Sequence, residues 1–306
     1  MSDNEVEITM PEGEVEPDLR PPRVADASKL VEVADSVWIL PDHERTPHVP
    51  NVGIVVGSRS ALVVESGMGI ENGRRVLAIA RELAGDKPLF LTASHFHPEH
   101  GLGAQAFVGE ATSILNRSQR DELFEKCRTY VDLFSTFTPA IAAALDGVDF
   151  VRPDIVYDGA ASLDLGDRVV HLREHGDGHT RGDQLVILPA ERVVFAGDLV
   201  EERFFAILPD ADADGEIWIR RLQELEGLDP EVVVPGHGTA GGAHLATAAR
   251  ESLEGIRDRA IELRAAGQEE DEVVATVKAE QIDLYPDWGN QEWIAPAVRS
   301  FLARTQ

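Results

Sequence analysis

The sequence predicts an α/β fold of two half-related layers, with a helical insertion between the halves and a helical extension behind them. Three observations lead there. Short β-branched clusters, separated by Gly, Pro, Asp and Ser, begin at Val31. A progression of three strands, a helix and a strand recurs loosely in the second half. After Gly238 the strand signal stops and only helical periodicity remains.

In chain order, residues 1–30 form an acidic, proline-containing leader, expected to be poorly ordered. It lacks a basic stretch ahead of an apolar one, so it reads as neither secretory signal nor anchor. VEVA, VWIL, GIVV and ALVVE then read as consecutive strands. In GIENGRRVLAIARELAG the period changes: Val76, Leu77, Ile79, Ala80 and Leu83 share one helical face, and Gly85 suits a C-cap. The strand PLFLTAS follows. From Asn116 to Leu145 the residues Leu123, Tyr130, Val131, Phe134 and Phe137 keep helical spacing, which marks an insertion over about residues 116–147. VVHLRE, QLVILP and RVVFAG are the strands of the second half, EIWIRRLQELEGL its helix and EVVVPG its last strand. Ala243–Ala266, Glu270–Glu280 and Gln291–Arg304 read as three helices, which Trp288 and Trp293 are expected to dock. The expected organisation is a leader over 1–30, a main domain over 31–239 and a helical extension over 240–306.

The chain has 306 residues, 28 basic and 55 acidic, for a formal net charge of −27. That field repels phosphate backbones and anionic headgroups, which argues against nucleic-acid and membrane partners. The single cysteine, Cys127, cannot form an internal disulfide and is read as a small buried hydrophobe. No apolar run approaches the roughly eighteen residues a spanning helix needs. A cytoplasmic protein acting on a small molecule is expected, with the C-terminal helices available for homodimer contact.

The segment SHFHPEHG places His95, His97 and His100 close together with Glu99 among them, directly after a strand. Imidazoles two apart on such a turn can converge on one metal, while the following carboxylate and third imidazole face a second. Three further loops fit this scheme, each at the end of a strand: GDGHTRGD with His179, VVFAGDLV with Asp198 and VVVPGHGT with His237. Their glycines allow turns that aim an imidazole into a cleft, and an aspartate can bridge two cations. His43, His48, His171, His175 and His244 lack such company and read as surface or hydrogen-bonded side chains, His175 being the nearest to a candidate ligand.

The ordered set H-x-H-x-E-H, GHT, GD and PGHG resembles the metallo-β-lactamase superfamily of metal-dependent hydrolases, over about Val31 to Thr239. The resemblance implies a four-layer αββα sandwich with a two-metal cleft at one edge of the sheets. It implies that His95, His97 and His179 hold the first metal, that Glu99, His100 and His237 hold the second, and that Asp198 bridges them. This chain departs from the family pattern in two places. Glu99 stands where aspartate is usual, and Glu65-Ser66-Gly67 stands where D-[TS]-G is usual. Each carboxylate is one methylene longer. Glu99 is therefore either a ligand, after backbone adjustment, or a general base beside a weaker second site. Glu65 supports the metal loop by resemblance.

The reaction implied is hydrolysis of a small ester, lactone, thioester or lactam by metal-bound hydroxide. Zinc lowers the pKa of its water from about 15.7 to about 7, and Asp198 orients the nucleophile. Two zinc ions per chain are expected, with iron or manganese accepted by the same ligand types. The alternative is a mononuclear non-haem iron oxygenase of the persulfide dioxygenase type, which resembles the same fold and needs only two histidines and an aspartate. Phe124, Tyr130, Phe134 and Phe137 of the insertion, with Arg117, Arg120 and Arg128, are candidates to cover the cleft and meet an apolar or anionic substrate.

Overall fold

Apolar strand runs with no polar face need cover on both sides, and the chain supplies it in four layers. The structure, a computed structural model, describes residues 6–11, 19–23, 27–46 and 48–304. A seven-stranded sheet takes its strands in chain order: β1 (Val31–Ala34), β2 (Val37–Leu40), β3 (Val52–Val56), β4 (Ala61–Val64), β5 (Leu89–Thr92), β6 (Ala111–Asn116) and β7 (Ile155–Tyr157). Pairing is antiparallel from β1 to β4 and parallel from β4 to β7. A five-stranded sheet holds β8 (Ala160–Asp164), β9 (Val169–Glu174), β10 (Gln184–Leu188), β11 (Val193–Gly197) and β12 (Val232–Pro235). Only its β11–β12 pair is parallel.

Side chains alternate between the two faces of each strand, so a strand buried on both faces builds two cores. Leu62 and Val64 of β4 meet Val186, Leu188 and Phe195 between the sheets. Ala61 and Val63 turn the other way, onto Val76, Ile79 and Ala80 of α1 (Gly69–Ala84). Burying each such Val, Leu or Ile contributes about 1.5–3 kcal/mol. The sheets approach closely at Gly53, where an added Cβ would lie 2.3 Å from the ring of Phe195. Helix α1 ends where expected: Gly85 takes φ 62° and its N–H caps the carbonyl of Arg81.

The one-turn α2 (Pro98–Gly101) follows β5. The insertion is three helices, α3 (Arg117–Glu125), α4 (Cys127–Phe134) and α5 (Pro139–Leu145). The Asn116 side chain caps α3 by accepting from the Gln119 N–H at 2.7 Å. Outside the second sheet, α6 (Gly215–Glu226), α7 (His244–Ala265), α8 (Glu270–Leu284) and α9 (Ile294–Ala303) share one core with the outward residues Leu185, Val194 and Val233. The αββα order is therefore present, with a C-terminal helical extension.

Four details depart from the sequence reading. Strands β6, β7 and β8 carry no clear sequence signal, because β7 is three residues long and β8 (AASLD) alternates exposed and half-buried positions. The segment expected as one helix from Gln291 to Arg304 opens with a separate 3₁₀ turn at Gln291–Trp293. Trp288 docks the extension by packing against Phe205 in a tilted contact, with Tyr285 beside it, whereas Trp293 lines a cavity. Much of the leader expected to be disordered lies outside the described residues, but Ile8 bridges to Asp210 and the Thr9 N–H donates to the Pro209 carbonyl at 2.7 Å. No described helix is long and apolar enough to cross a membrane.

Candidate active site

Strand ends deliver the candidate residues to one edge of the sandwich. His95, His97, Glu99 and His100 sit on the turn from β5 through α2, His179 lies between β9 and β10, and Asp198 and His237 directly follow β11 and β12. All seven are buried. Their donor atoms form two groups, each within 4.8 Å: His95, His97, His179 and Asp198 in one, Glu99, His100, Asp198 and His237 in the other. Asp198 belongs to both. Its Oδ2 lies 3.8 Å from His95 Nε2, 3.7 Å from His179 Nε2 and 3.7 Å from His237 Nε2, and its Oδ1 lies 3.2 Å from His100 Nε2.

These atoms test whether a metal fits. The Nε2 atoms of His95, His97 and His100, Oε2 of Glu99 and Oδ1 of Asp198 are buried with no hydrogen-bond partner. Buried orphans of this kind are costly unless something takes up their lone pairs. Imidazole nitrogens and carboxylate oxygens converging in fours are the donor set of a divalent transition metal. The longer Glu99 side chain takes its place in the second group without displacing it.

Hydrogen bonds behind the rings fix which nitrogen faces inward. His179 Nδ1 lies 2.9 Å from the Ile207 carbonyl and His237 Nδ1 lies 2.9 Å from the Val49 carbonyl. A carbonyl only accepts, so both Nδ1 atoms carry the proton and both Nε2 lone pairs point into the cluster. His95 Nδ1 is 2.9 Å from Ser94 Oγ. Glu65, in the left-handed region at φ 70°, accepts from the Ser94 N–H at 3.0 Å and lies 3.4 Å from His100 Nδ1. The Ser66 N–H donates to the His100 carbonyl at 2.8 Å. Asp183 holds the His179 loop by accepting from the His179 N–H at 2.7 Å and the Thr180 N–H at 3.0 Å. At Gly236 an added Cβ would lie 1.8 Å from Asp198 Oδ1.

Burial and mutual repulsion set the protonation of the cluster. Burial, with His179 beside it, pushes His97 down to about 3. Burial and His100 likewise depress His95 well below the ordinary imidazole range. For His100 burial acts downward but is outweighed by the carboxylates of Asp198 and Glu65, so its proton is held well above that range. Burial would raise Glu99, yet His48, His100 and His97 bring it down to about 2. Neutral His95 and His97 beside an ionised Glu99 are already in the protonation states that metal ligation requires, whereas His100 would have to give up its proton to a bound cation.

The cluster floors a cavity of about 460 Å³, reached by His97, Glu99, His179, Asp198 and His237 and walled largely by apolar side chains. Here the structure corrects several expectations. His48, read as a surface or hydrogen-bonded side chain, belongs to neither donor group but lines this cavity at φ 61°, with Nδ1 3.9 Å from Glu99 Oε1 and its ring 4.8 Å from Phe134 and 5.2 Å from Phe137. Nothing in its sequence neighbourhood marks it. Phe134, Phe137 and Tyr130 do face the cavity, and Tyr130 packs on the His97 ring at 4.6 Å. Phe124 does not: it is partly exposed, against Phe150 and Arg152. Arg117 and Arg120 pair with Asp158 and Asp121, and Arg128 lies over Phe150, so the arginine at the cavity is Arg45 instead. Asp42 and Glu201 also line it. Burial raises Asp42 to about 6, and burial with the Asp198 charge raises Glu201. His175 is buried 3.6 Å from Glu224 and belongs to neither donor group. Cys127 is buried as expected, and burial pushes its thiol up.

Residues 45–237 match the sequence model of the metallo-beta-lactamase superfamily. An acyl-coenzyme A thioesterase from Gallus gallus is 30% identical over 223 residues, which cover 67% of this chain and 78% of the relative. Among solved structures, a metallo-beta-lactamase from Pontibacter korlensis superposes with a TM-score of 0.57 at 21% identity, covering 74% of this chain and 98% of its own. The sec-alkylsulfatase Pisa1 from a Pseudomonas species gives a TM-score of 0.68 at 14% identity, covering 90% of this chain and 50% of its own. At these identities the likeness to the two structures is one of fold.

Proposed function

The chain belongs to the metallo-beta-lactamase superfamily and is a hydrolase of that kind, and from that premise we propose that it cleaves acyl thioesters with apolar acyl groups. One juxtaposition carries the reading: two buried groups of metal-ligand side chains lie under a cavity of about 460 Å³ whose walls include Phe134, Phe137, Ile141, Phe204 and Trp293. A cavity of this size and lining suits a substrate that is mostly hydrocarbon around one polar bond. Among ester, lactone, thioester and lactam, the thioester is favoured by the Gallus gallus relative, which is named for that activity.

In this reading His95, His97 and His179 would hold one ion and Glu99, His100 and His237 the other, with Asp198 shared. Zinc suits the set, and iron and manganese bind the same donors. Bound there, such ions supply Lewis acidity toward a carbonyl oxygen and lower the pKa of water. The protein does the rest. Asp198 accepts a hydrogen bond from the attacking water and fixes its approach to the carbonyl carbon. The Nδ1 bonds of His179 and His237 keep both rings from turning. Phe134 and Phe137 hold the acyl chain and keep bulk water away from the scissile bond. No side-chain nucleophile is needed, in keeping with a buried Cys127. Two groups of four donors favour two-ion hydrolysis over one-iron oxygenation of a persulfide.

The test is metal content per chain by elemental mass spectrometry, together with thiol release from acyl-coenzyme A thioesters. Two zinc ions and rapid thiol release are expected. Metal-loaded protein that ignores thioesters but opens lactones, β-lactams or alkyl sulfates would replace the substrate. One iron per chain with oxygen uptake on a thiol persulfide would replace the reaction.

A further inference from the structure

We propose that Trp293, carried by the C-terminal helical extension, is a specificity-determining residue that limits the length of the acyl group the cavity accepts. This rests on the thioesterase reading above. The residue lies outside the stretch matched by the superfamily, residues 45–237, yet it lines the same cavity as Asp198 and His237. The extension reaches the site through a specific seam. Phe204 and Gly289 form a parallel bridge, in which the Phe205 N–H donates to the Gly289 carbonyl at 3.1 Å and the Gly289 N–H donates to the Arg203 carbonyl at 3.0 Å. Glycine is required there, because a Cβ at position 289 would lie 2.6 Å from the Phe204 ring. Asn290 then takes the left-handed conformation, φ 59°, and it lines the cavity together with Glu292 and Trp293.

Trp293 is held on both sides. Before it, Trp288 packs in tilted contacts against Tyr285 and Phe205, which also meet each other edge-on. After it, Ile294, Ala295 and Val298 of α9 are buried in the outer core. The Trp293 N–H donates to the Asn290 carbonyl at 2.9 Å. A bulky indole on a backbone this constrained is a fixed wall rather than a mobile flap, and a fixed wall in an apolar pocket discriminates by size. Phe204, the residue bridged to the extension, also lines the cavity.

The experiment measures kcat/KM for saturated acyl-coenzyme A thioesters from butyryl to palmitoyl, with wild type, Trp293→Ala and Trp293→Phe, all metal-loaded. Trp293→Ala is expected to raise the palmitoyl-to-butyryl ratio by about tenfold or more, with Trp293→Phe between it and wild type. A second readout does not need turnover. Titrating decanoate should change indole fluorescence in wild type, and that change should vanish in Trp293→Phe although Trp38, Trp218 and Trp288 remain. An unchanged ratio in Trp293→Ala, or a fluorescence response that survives Trp293→Phe, overturns this proposal alone. A wild type that releases thiol from none of the thioesters overturns the reading beneath it, and the proposal with it.

Discussion

His179 donates through Nδ1 to the main-chain carbonyl of Ile207, 2.9 Å away. The bond joins a candidate ligand to the segment after Asp198, and that segment is the one to which the helical extension is bridged at Phe204. Ile207 itself lines the cavity. A loosened extension is therefore felt at the His179 ring through three residues of chain.

Asp198 is the residue both donor groups share, so its removal is expected to cost more than any one imidazole. Asp198→Asn keeps the volume and loses the charge. A drop in kcat of about 10²–10⁴-fold is expected, with metal content falling in the same preparation. Full activity at full metal content would remove Asp198 from the chemistry.

Gly236→Ala separates position from composition, because no candidate ligand is altered. The new methyl would stand 1.8 Å from Asp198 Oδ1 and must displace it. Loss of about a hundredfold in kcat is expected, the usual cost of a misplacement near 1 Å. Near-wild-type kinetics would show that the carboxylate has room to move.

Acid should unfold the metal-free protein early. His97 titrates near 3 in the fold against 6.5 for an ordinary imidazole, so on acidification the unfolded chain takes its proton first. The stability this group contributes is complete above about pH 6.5 and is lost as pH falls toward 3, at about 1.4 kcal/mol per pH unit. His95 acts in the same direction, and Glu99 adds a further loss below its ordinary 4.5. His100, shifted upward, contributes stability that is present at low pH and disappears only on the alkaline side. Chelator-treated protein should lose thermal stability steadily from about pH 6.5 to 5, and excess zinc should offset the loss. A flat melting temperature over that interval would contradict the assigned protonation.

A second buried ionic group lies beside the site. Lys126 Nζ lies 3.2 Å from Glu122, 2.9 Å from Asp210 and 2.7 Å from Asp212, and the Tyr130 hydroxyl donates to Asp210 at 2.8 Å. Lys126→Met strands the buried Glu122 and Asp210 carboxylates without their cation. A destabilisation of about 3–5 kcal/mol is expected in urea unfolding. A change within about 0.5 kcal/mol would mark the network as dispensable.

Residues whose role depends on local order were readable. His95, His97, Asp198 and His237 each follow a short apolar strand, and the end of a strand fixes their position. Tertiary contact hid the others. His48 approaches Glu99 only because its own backbone turns left-handed and the insertion brings Phe134 and Phe137 beside it. Trp293 reaches the cavity through a bridge between Phe204 and Gly289, which are far apart in the chain. Strand β8 escaped notice because Ala, Ser and Asp make a weak strand signal when one face is wet.

The described residues of the leader have a practical bearing on how the enzyme is handled. Ile8 bridges Asp210, Pro11 lines the cavity, and Met10 stands at its rim with 51% of its surface exposed. A purification handle placed close ahead of residue 6 adjoins a segment that lines the cavity, and it is expected to raise KM relative to the untagged chain. At the other end, Arg304 is tied to Asp214 by a 2.5 Å ion pair, and neither residue touches the cavity. Kinetic constants compared between a leading and a trailing handle should therefore differ, with the higher KM on the leading one.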